Sequence, residues 1–200
     1  MVSAVRLASE SLPAFVGLLG AGGQAREIRS YLAPGTATFY AVTSRFLATG
    51  QADLVDISCP PDSCRDAVVV GAVGAPGLRR DLLAAWPGNR FTTVVSSGAH
   101  VDPQCTIDVG CVIAPGVVIT TDVTIGAHCH LNIGATISHD TQLGSFVTVC
   151  PGAHIAFMHP VKSRHAIEHA YFDYGVRDFS FDSLAELDKI VATTGNSKDL

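Results

Sequence analysis

Residues 101–155 read VDPQCTIDVGCVIAPGVVITTDVTIGAHCHLNIGATISHDTQLGSFVTVCPGAHI, and an aliphatic side chain returns in this stretch at every sixth position. The series is Val101, Ile107, Ile113, Ile119, Ile125, Leu131, Ile137, Leu143, Val149 and Ile155, with Val161 and Ile167 keeping the same beat beyond it. Neither the helical period nor strict alternation produces a period of six. Four places after each aliphatic residue stands a small or β-branched one: Cys105, Cys111, Val117, Val123, Cys129, Ala135, Thr141, Val147 and Ala153. A chain that turns after every six residues closes into a three-sided coil, and a long and a small side chain can share its interior near each corner. The pattern therefore predicts a left-handed parallel β-helix of hexapeptide repeats. Residues three hexads apart stack, which places Cys111 under Cys129 and forms the ladders Ile119, Ile137, Ile155 and Ile125, Leu143. At strand spacing, about 4.8 Å, such ladders fill the tube and satisfy the backbone by parallel pairing. The stacked cysteines read as inert filling.

The pattern decays further on. The small inner position becomes His159, His165 and Tyr171, and two imidazoles and a phenol are too polar for so narrow a tube without partners. Regular coils are expected to stop near Ile155 to Pro160. Asp182 or Ser183 can then cap a final helix, with Glu186 completing a capping box and Leu184, Leu187, Ile190 and Val191 as its apolar stripe. That helix is placed to cover the open end of the tube.

The first hundred residues alternate strand and helix. Phe15 to Leu19 reads as a buried strand, Gly20 to Gly23 as a turn and Gln24 to Leu32 as a helix. Thr38 to Val42 and Ala67 to Val70 are further strands, a helix runs from Pro76 to Trp86, and Thr92 to Val95 leads into the first coil. This order predicts an α/β, Rossmann-like parallel sheet with right-handed crossovers. The expected domains are 1–96, Rossmann-like, 97–160, β-helix, and 161–200, an irregular tail with a C-terminal helix.

Composition narrows the partners. The 200 residues are 48% hydrophobic and 16% charged, as in a packed globular chain, and a net charge of −5 leaves no broad basic surface for nucleic acid. Six cysteines without CxxC pairs fit reduced thiols. The apolar stretch from Leu12 to Leu19 is too short to span a bilayer, so no membrane partner and a cytoplasmic location are expected.

Two places could carry chemistry. At Gly20-Ala21-Gly22-Gly23 a strand turns into a helix, where open N–H groups and the helix dipole favour a phosphate. A turn needed only for close strand-to-helix packing explains the same glycines. The spacing is not the full dinucleotide fingerprint, and Thr43 and Ser44 stand where an acidic ribose-binding residue would be. The second place is Asn132-Ile-Gly-Ala-Thr-Ile-Ser-His-Asp140. Ile137 and Thr141 point inward by register, so His139 and Asp140 face outward at a turn. An imidazole can take a proton from an attacking hydroxyl or amine, and an adjacent carboxylate can orient it. A solvated His-Asp turn is the alternative. His154, His159, His165 and His169 read as surface histidines rather than metal ligands. Arg79 and Arg80 read as an ordinary helix face, or as cations approaching a phosphate.

These residues resemble the bacterial sugar acetyltransferases that include sialic acid O-acetyltransferases and N-acetyltransferases of UDP-linked amino sugars. The likeness runs from Phe15 to Ile155. It is carried by Gly-Ala-Gly-Gly-Gln-Ala-Arg26, by Leu-Asn-Ile-Gly-Ala-Thr-Ile-Ser-His-Asp140, and by Leu-Gly-Ser-Phe-Val-Thr-Val-Cys-Pro-Gly-Ala-His-Ile155. The resemblance implies a homotrimer with acetyl-CoA as co-substrate in a groove between neighbouring β-helices, and no metal. The α/β domain would hold a sugar or nucleotide-sugar through Gly20, Ala21, Gly22, Gly23 and Gln24. It implies His139 as general base, Asp140 as the carboxylate beside it, and Asn132 near the acceptor. The chain departs from the family at Thr148, where a histidine is common, at Thr43 and Ser44, where aspartates are common, and from Phe157 onward. A trimeric sugar-binding scaffold without a coenzyme site is the alternative function.

Overall fold

The computed structural model describes residues 15–49, 53–155, 164–168, 171–172 and 183–195. The chain divides into two compact units, 1–155 and 156–200.

The first unit opens with four parallel strands. They are β1 (Phe15–Leu19), β2 (Ala37–Val42), β3 (Leu54–Asp56) and β4 (Val68–Gly71), in the spatial order β3-β2-β1-β4. β1 is central and its residues Val16, Leu18 and Leu19 are fully buried, as a strand covered on both faces must be. Between the strands run α1 (Gly23–Tyr31), a short 3₁₀ turn (Ser44–Thr49) and α2 (Asp62–Arg65), and α3 (Pro76–Ala85) follows β4. Pro76 opens α3 at a position where a missing N–H is harmless.

Eleven two-residue strands follow, stacked into three parallel sheets that form the sides of a tube. The first side holds β5 (Val94–Val95), β8 (Val112–Ile113), β11 (His130–Leu131) and β14 (Thr148–Val149). The second holds β6 (His100–Val101), β9 (Val118–Ile119), β12 (Thr136–Ile137) and β15 (His154–Ile155). The third holds β7 (Thr106–Ile107), β10 (Thr124–Ile125) and β13 (Gln142–Leu143). These stacks fit the expected left-handed β-helix. Ile137 pairs in register with Ile119 and Ile155, and Ile125 with Leu143. Ile113, Ile119, Ile125, Leu131 and Ile137 are at most 1% exposed, each burial contributing about 2 kcal/mol. Cys105, Cys111 and Cys129 lie inside the tube as filling.

From Gly110 to Gly152 each corner of the tube is made by one residue of left-handed backbone. Gly116, Gly134 and Gly152 turn the first side into the second, and Asp122 and Asp140 the second into the third. Gly110, His128 and Phe146 turn the third into the first. Aspartate tolerates this conformation through its short polar side chain. Phenylalanine does not, and Phe146 holds φ +65° only because its surroundings fix it, as shown below.

In the second unit, α4 (Arg164–Glu168) and α5 (Leu184–Thr193) are described. Ser183 caps α5, its hydroxyl accepting from the Glu186 N–H at 3.2 Å. Leu184 does not join the apolar stripe and is 78% exposed. The buried face centres on Glu186, Ile190 and Thr194, and at helical spacing Leu184 points about 200° away from Glu186. Among the described residues, no helix is long and apolar enough to cross a membrane.

Candidate active site

The strand order creates the first element of the site. From β1 the chain moves one way to β2 and β3, then returns to the other flank as β4, so the carboxyl ends of β1 and β4 flank a switch point where α/β sheets bind ligands. A cleft of about 520 Å³ opens there, lined by Gly20, Ala21, Gly22, Thr43, Arg45 and Val73 among others. Gly20 takes φ +122°, which a side chain would resist, and this lets the chain turn across the end of the sheet. Gly22 caps α1 without a side-chain bond, and no acidic residue stands in the first turn. The α1 N–H groups are thus not claimed by a carboxylate of their own helix. Gly23 and Gln24 begin α1, and the Gln24 amide reaches toward Gly74, in the loop after β4. Arg45 lies over the exposed ring of Phe46 at 4.6 Å on the cleft wall.

The second element is the corner between β12 and β13. His139 and Asp140 have side chains 62% and 57% exposed, and His139 Nδ1 lies 2.6 Å from Asp140 Oδ2. The left-handed backbone at Asp140 is anchored by its N–H donating to Thr121 O at 3.2 Å on the coil below. With the carboxylate ionised, a contact this short needs Nδ1–H as donor, which leaves Nε2 as the proton acceptor. Asn132 lies on the same coil at the preceding corner, where its Nδ2 donates to Val149 O at 2.6 Å. The fold does not bring Asn132 onto the His139 corner.

Between cleft and tube lies a polar joint that sequence reasoning missed. Outward residues of the first side face the α/β part: Val94 and Val112 pack with Ala25, Ile28 and Val70, while His130 and Thr148 make polar bonds. His130 is fully buried, and its Nε2 lies 2.8 Å from Gly71 O, which requires Nε2–H as donor. Burial first, and the Arg79 charge second, push its pKa down to about 3. Thr148 donates to Gly74 O at 2.7 Å.

Arg79 is neither a solvated helix face nor a phosphate ligand: it is 0% exposed. Its Nε donates to His128 O at 2.9 Å, and Nη1 to Val73 O and Gly74 O at 2.7 and 3.0 Å. Nη2 donates to Phe146 O at 2.8 Å, with Thr148 Oγ1 at 3.1 Å and Val147 O at 3.3 Å sharing it. All five N–H groups are therefore satisfied without a carboxylate. Gly71 makes room for the stem, since a Cβ there would lie 2.7 Å from Arg79 Cγ. His128 sits between the rings of Phe91 and Phe146, with centroids 5.0 and 5.1 Å away, and Arg80 lies 4.8 Å over Phe146. A signal was present: Arg79 shares the apolar stripe of α3 with Leu82, Leu83 and Trp86, where a solvated arginine would not stand.

Of the four tail histidines, His159 and His169 lie outside the described residues. His154 contacts Thr136 Oγ1 at 2.5 Å on the next coil. Among the described residues, no group of three or more His, Cys, Asp or Glu could hold a metal.

No family model matches the chain. Over 61 residues it is 45% identical to a GDP-perosamine N-acetyltransferase of Escherichia coli O157:H7. That stretch is 30% of this chain, which spans only 28% of the length of this curated relative. Among solved structures, it is similar to the acetyltransferase domain of PglB from Neisseria gonorrhoeae FA1090 in complex with acetyl coenzyme A. The TM-score is 0.60 and the identity 24%, over 72% of this chain and 73% of that one. WeeI from Acinetobacter baumannii AYE matches with a TM-score of 0.58 and 22% identity, over 70% and 71% of the two chains. A variant GDP-perosamine N-acetyltransferase from Caulobacter crescentus, in complex with CoA and GDP-perosamine, gives 0.55 and 22%, over 70% of each. The fold is shared with these proteins, and the resemblance to sugar acetyltransferases read from the sequence holds.

Proposed function

We propose that the chain transfers an acetyl group from acetyl-CoA to an amino or hydroxyl group of a sugar, free or nucleotide-linked. The observation that carries this reading is the 2.6 Å contact between His139 Nδ1 and Asp140 on an exposed corner, which leaves Nε2 as a base. The acceptor's nitrogen or oxygen attacks the thioester carbonyl while Nε2 takes its proton. The tetrahedral species then collapses, the C–S bond breaks, and the departing thiolate receives the proton from the imidazolium. Asp140 steadies the ring while it is charged. Residues 1–96 hold the acceptor in the cleft at Gly20, Ala21 and Gly22, backed by Gly23 and Gln24, and residues 97–160 carry out the transfer.

The topology also supports the homotrimer. The α/β part packs on the first side of its own tube, and the His139 corner joins the second and third sides, opposite it. An acceptor in one chain's cleft is therefore separated from that chain's His139 by the tube itself. In this reading a second copy presents its corner, and a head-to-tail contact whose rotation closes makes a ring, here of three. Acetyl-CoA then lies in the groove between tubes, with Asn132 facing the acceptor from the preceding corner.

Thiol release from acetyl-CoA, measured over a panel of amino sugars, sialic acids and nucleotide-linked amino sugars, tests the proposal. Wild type should release thiol with at least one acceptor, and His139→Ala should lose about 10²- to 10⁴-fold in kcat while sedimenting as wild type does. Full rate in His139→Ala would remove the base from the mechanism. No release with any acceptor, and no calorimetric binding of coenzyme A, would favour the scaffold.

A further inference from the structure

We infer that Arg79 is a positioning residue that holds the acceptor cleft at a fixed angle to the tube, and thereby sets where the acceptor meets a neighbouring copy's base. The inference rests on the proposed function for its catalytic consequence, and on the hydrogen bonds alone for its mechanical one.

The two halves of the joint are tied to one guanidinium. On the cleft side Arg79 takes the carbonyls of Val73 and Gly74, in the loop after β4, and Val73 lines the cleft wall. On the tube side it takes the carbonyls of His128 and Phe146, the two stacked left-handed corner residues of successive coils. Thr148 closes the loop, accepting from Arg79 and donating to Gly74 O. A guanidinium is a planar fork of five donors, so satisfying acceptors on both halves fixes their relative orientation as well as their distance. An ordinary core residue in this place would fill space without fixing direction. β4 is bridged by backbone bonds to the approach to β5, at Val69 and Phe91, and against the later coils of the first side the two halves are tied by side-chain donors reaching across: Arg79, His130 and Thr148.

The neighbouring bonds belong to the same device. Phe146 stays left-handed because its ring is held between His128 and Arg80 while its carbonyl is held by Arg79. Loosening the guanidinium frees that corner and the cleft loop together, while the ladders inside the tube remain packed. The expected defect is therefore selective for the acceptor. Acetyl-CoA, bound along the tubes, should be little affected.

The test compares Arg79→Lys, which keeps the charge and loses the fork, with Thr148→Val, which removes the bond to Gly74 and one acceptor of Arg79. Both are assayed as trimers well below their melting temperatures. Arg79→Lys should raise the acceptor KM about 10-fold and leave the acetyl-CoA KM within about twofold, with Thr148→Val shifting the same way by less. Deuterium exchange should quicken in peptides covering residues 72–78 and 144–149 and stay unchanged over 117–125. Equal effects on both substrates, or no effect on either, would overturn the inference. If wild type itself transfers no acetyl group, the proposed function fails and the exchange pattern alone decides: unchanged protection of both loops in Arg79→Lys would then refute the joint.

Discussion

The buried His130 makes stability depend on pH in a way that can be calculated. Its folded pKa, about 3, lies below the ordinary unfolded value of about 6.5, because burial and the Arg79 charge oppose a second proton. The folded state thus binds the neutral ring, and the unfolded chain binds protons first as the pH falls. Stability from this residue is complete above about pH 6.5 and is lost progressively toward pH 3, at about 1.4 kcal/mol per pH unit through the middle of that window. Between pH 7.5 and pH 5 the loss comes to about 2 kcal/mol per chain. The neighbouring His128, also lowered by burial, adds loss of the same sign, so the residue must be isolated by a variant.

His130→Gln serves that purpose, since its amide can still donate to Gly71 O and does not titrate. Urea unfolding of both proteins at fixed protein concentration, at half-unit steps from pH 7.5 to 5, yields the difference curve. Wild type should fall behind the variant by about 2 kcal/mol at pH 5 relative to their difference at pH 7.5. Parallel curves across the whole range would mean that the ring is solvated or pairs with an acid, and the argument for the joint would lose its second member.

Three further outcomes follow from the same geometry. Thr141 is 5% exposed inside the tube with its hydroxyl unpartnered, so Thr141→Val should stabilise by about 1 kcal/mol and raise Tm by about 2–4 °C; an unchanged or lower Tm in scanning calorimetry counts against that packing. Asp140→Asn removes the charge that orients His139 Nδ1, and kcat should fall about 10²-fold with the acetyl-CoA KM kept; an unaltered kcat would show the contact to be incidental. Mixed trimers of His139→Ala and Ala21→Trp chains, each inactive alone, should recover roughly a quarter of wild-type rate if base and cleft come from different copies. Mixed trimers that stay inactive would place both on one chain.

What could be read from the sequence and what could not divides along one physical line. The inward residues of the tube must be apolar and must recur, so Ile119, Ile137 and Ile155 announce their contacts by period alone. The corner of His139 follows from the same count, because Ile137 and Thr141 fix which residues between them turn outward. β3 was not legible: Leu54, Val55 and Asp56 are three half-buried residues with no run or alternation long enough to register. The partners of Arg79 were hidden for a different reason. Its strongest tube-side acceptors are main-chain carbonyls 49 and 67 residues away, and a carbonyl is the same whatever residue carries it.

The outward face of the first side shows why the joint is polar where it is. Its ladder runs Val94, Val112, His130, Thr148, changing from apolar to donor-bearing at the third coil. The first two face Ala25, Ile28 and Val70, elements whose backbone groups are already paired within helix or sheet. The last two face Gly71 and Gly74, where β4 ends and its carbonyls have no strand left to accept from. Buried carbonyls without donors would destabilise by about 1–3 kcal/mol each, so the tube must supply N–H and O–H groups there or leave the loop open to water. Water would let the loop drift, and that loop is a wall of the cleft. The change from valine to histidine and threonine along one ladder therefore marks the place where packing alone no longer suffices to hold the wall of the cleft.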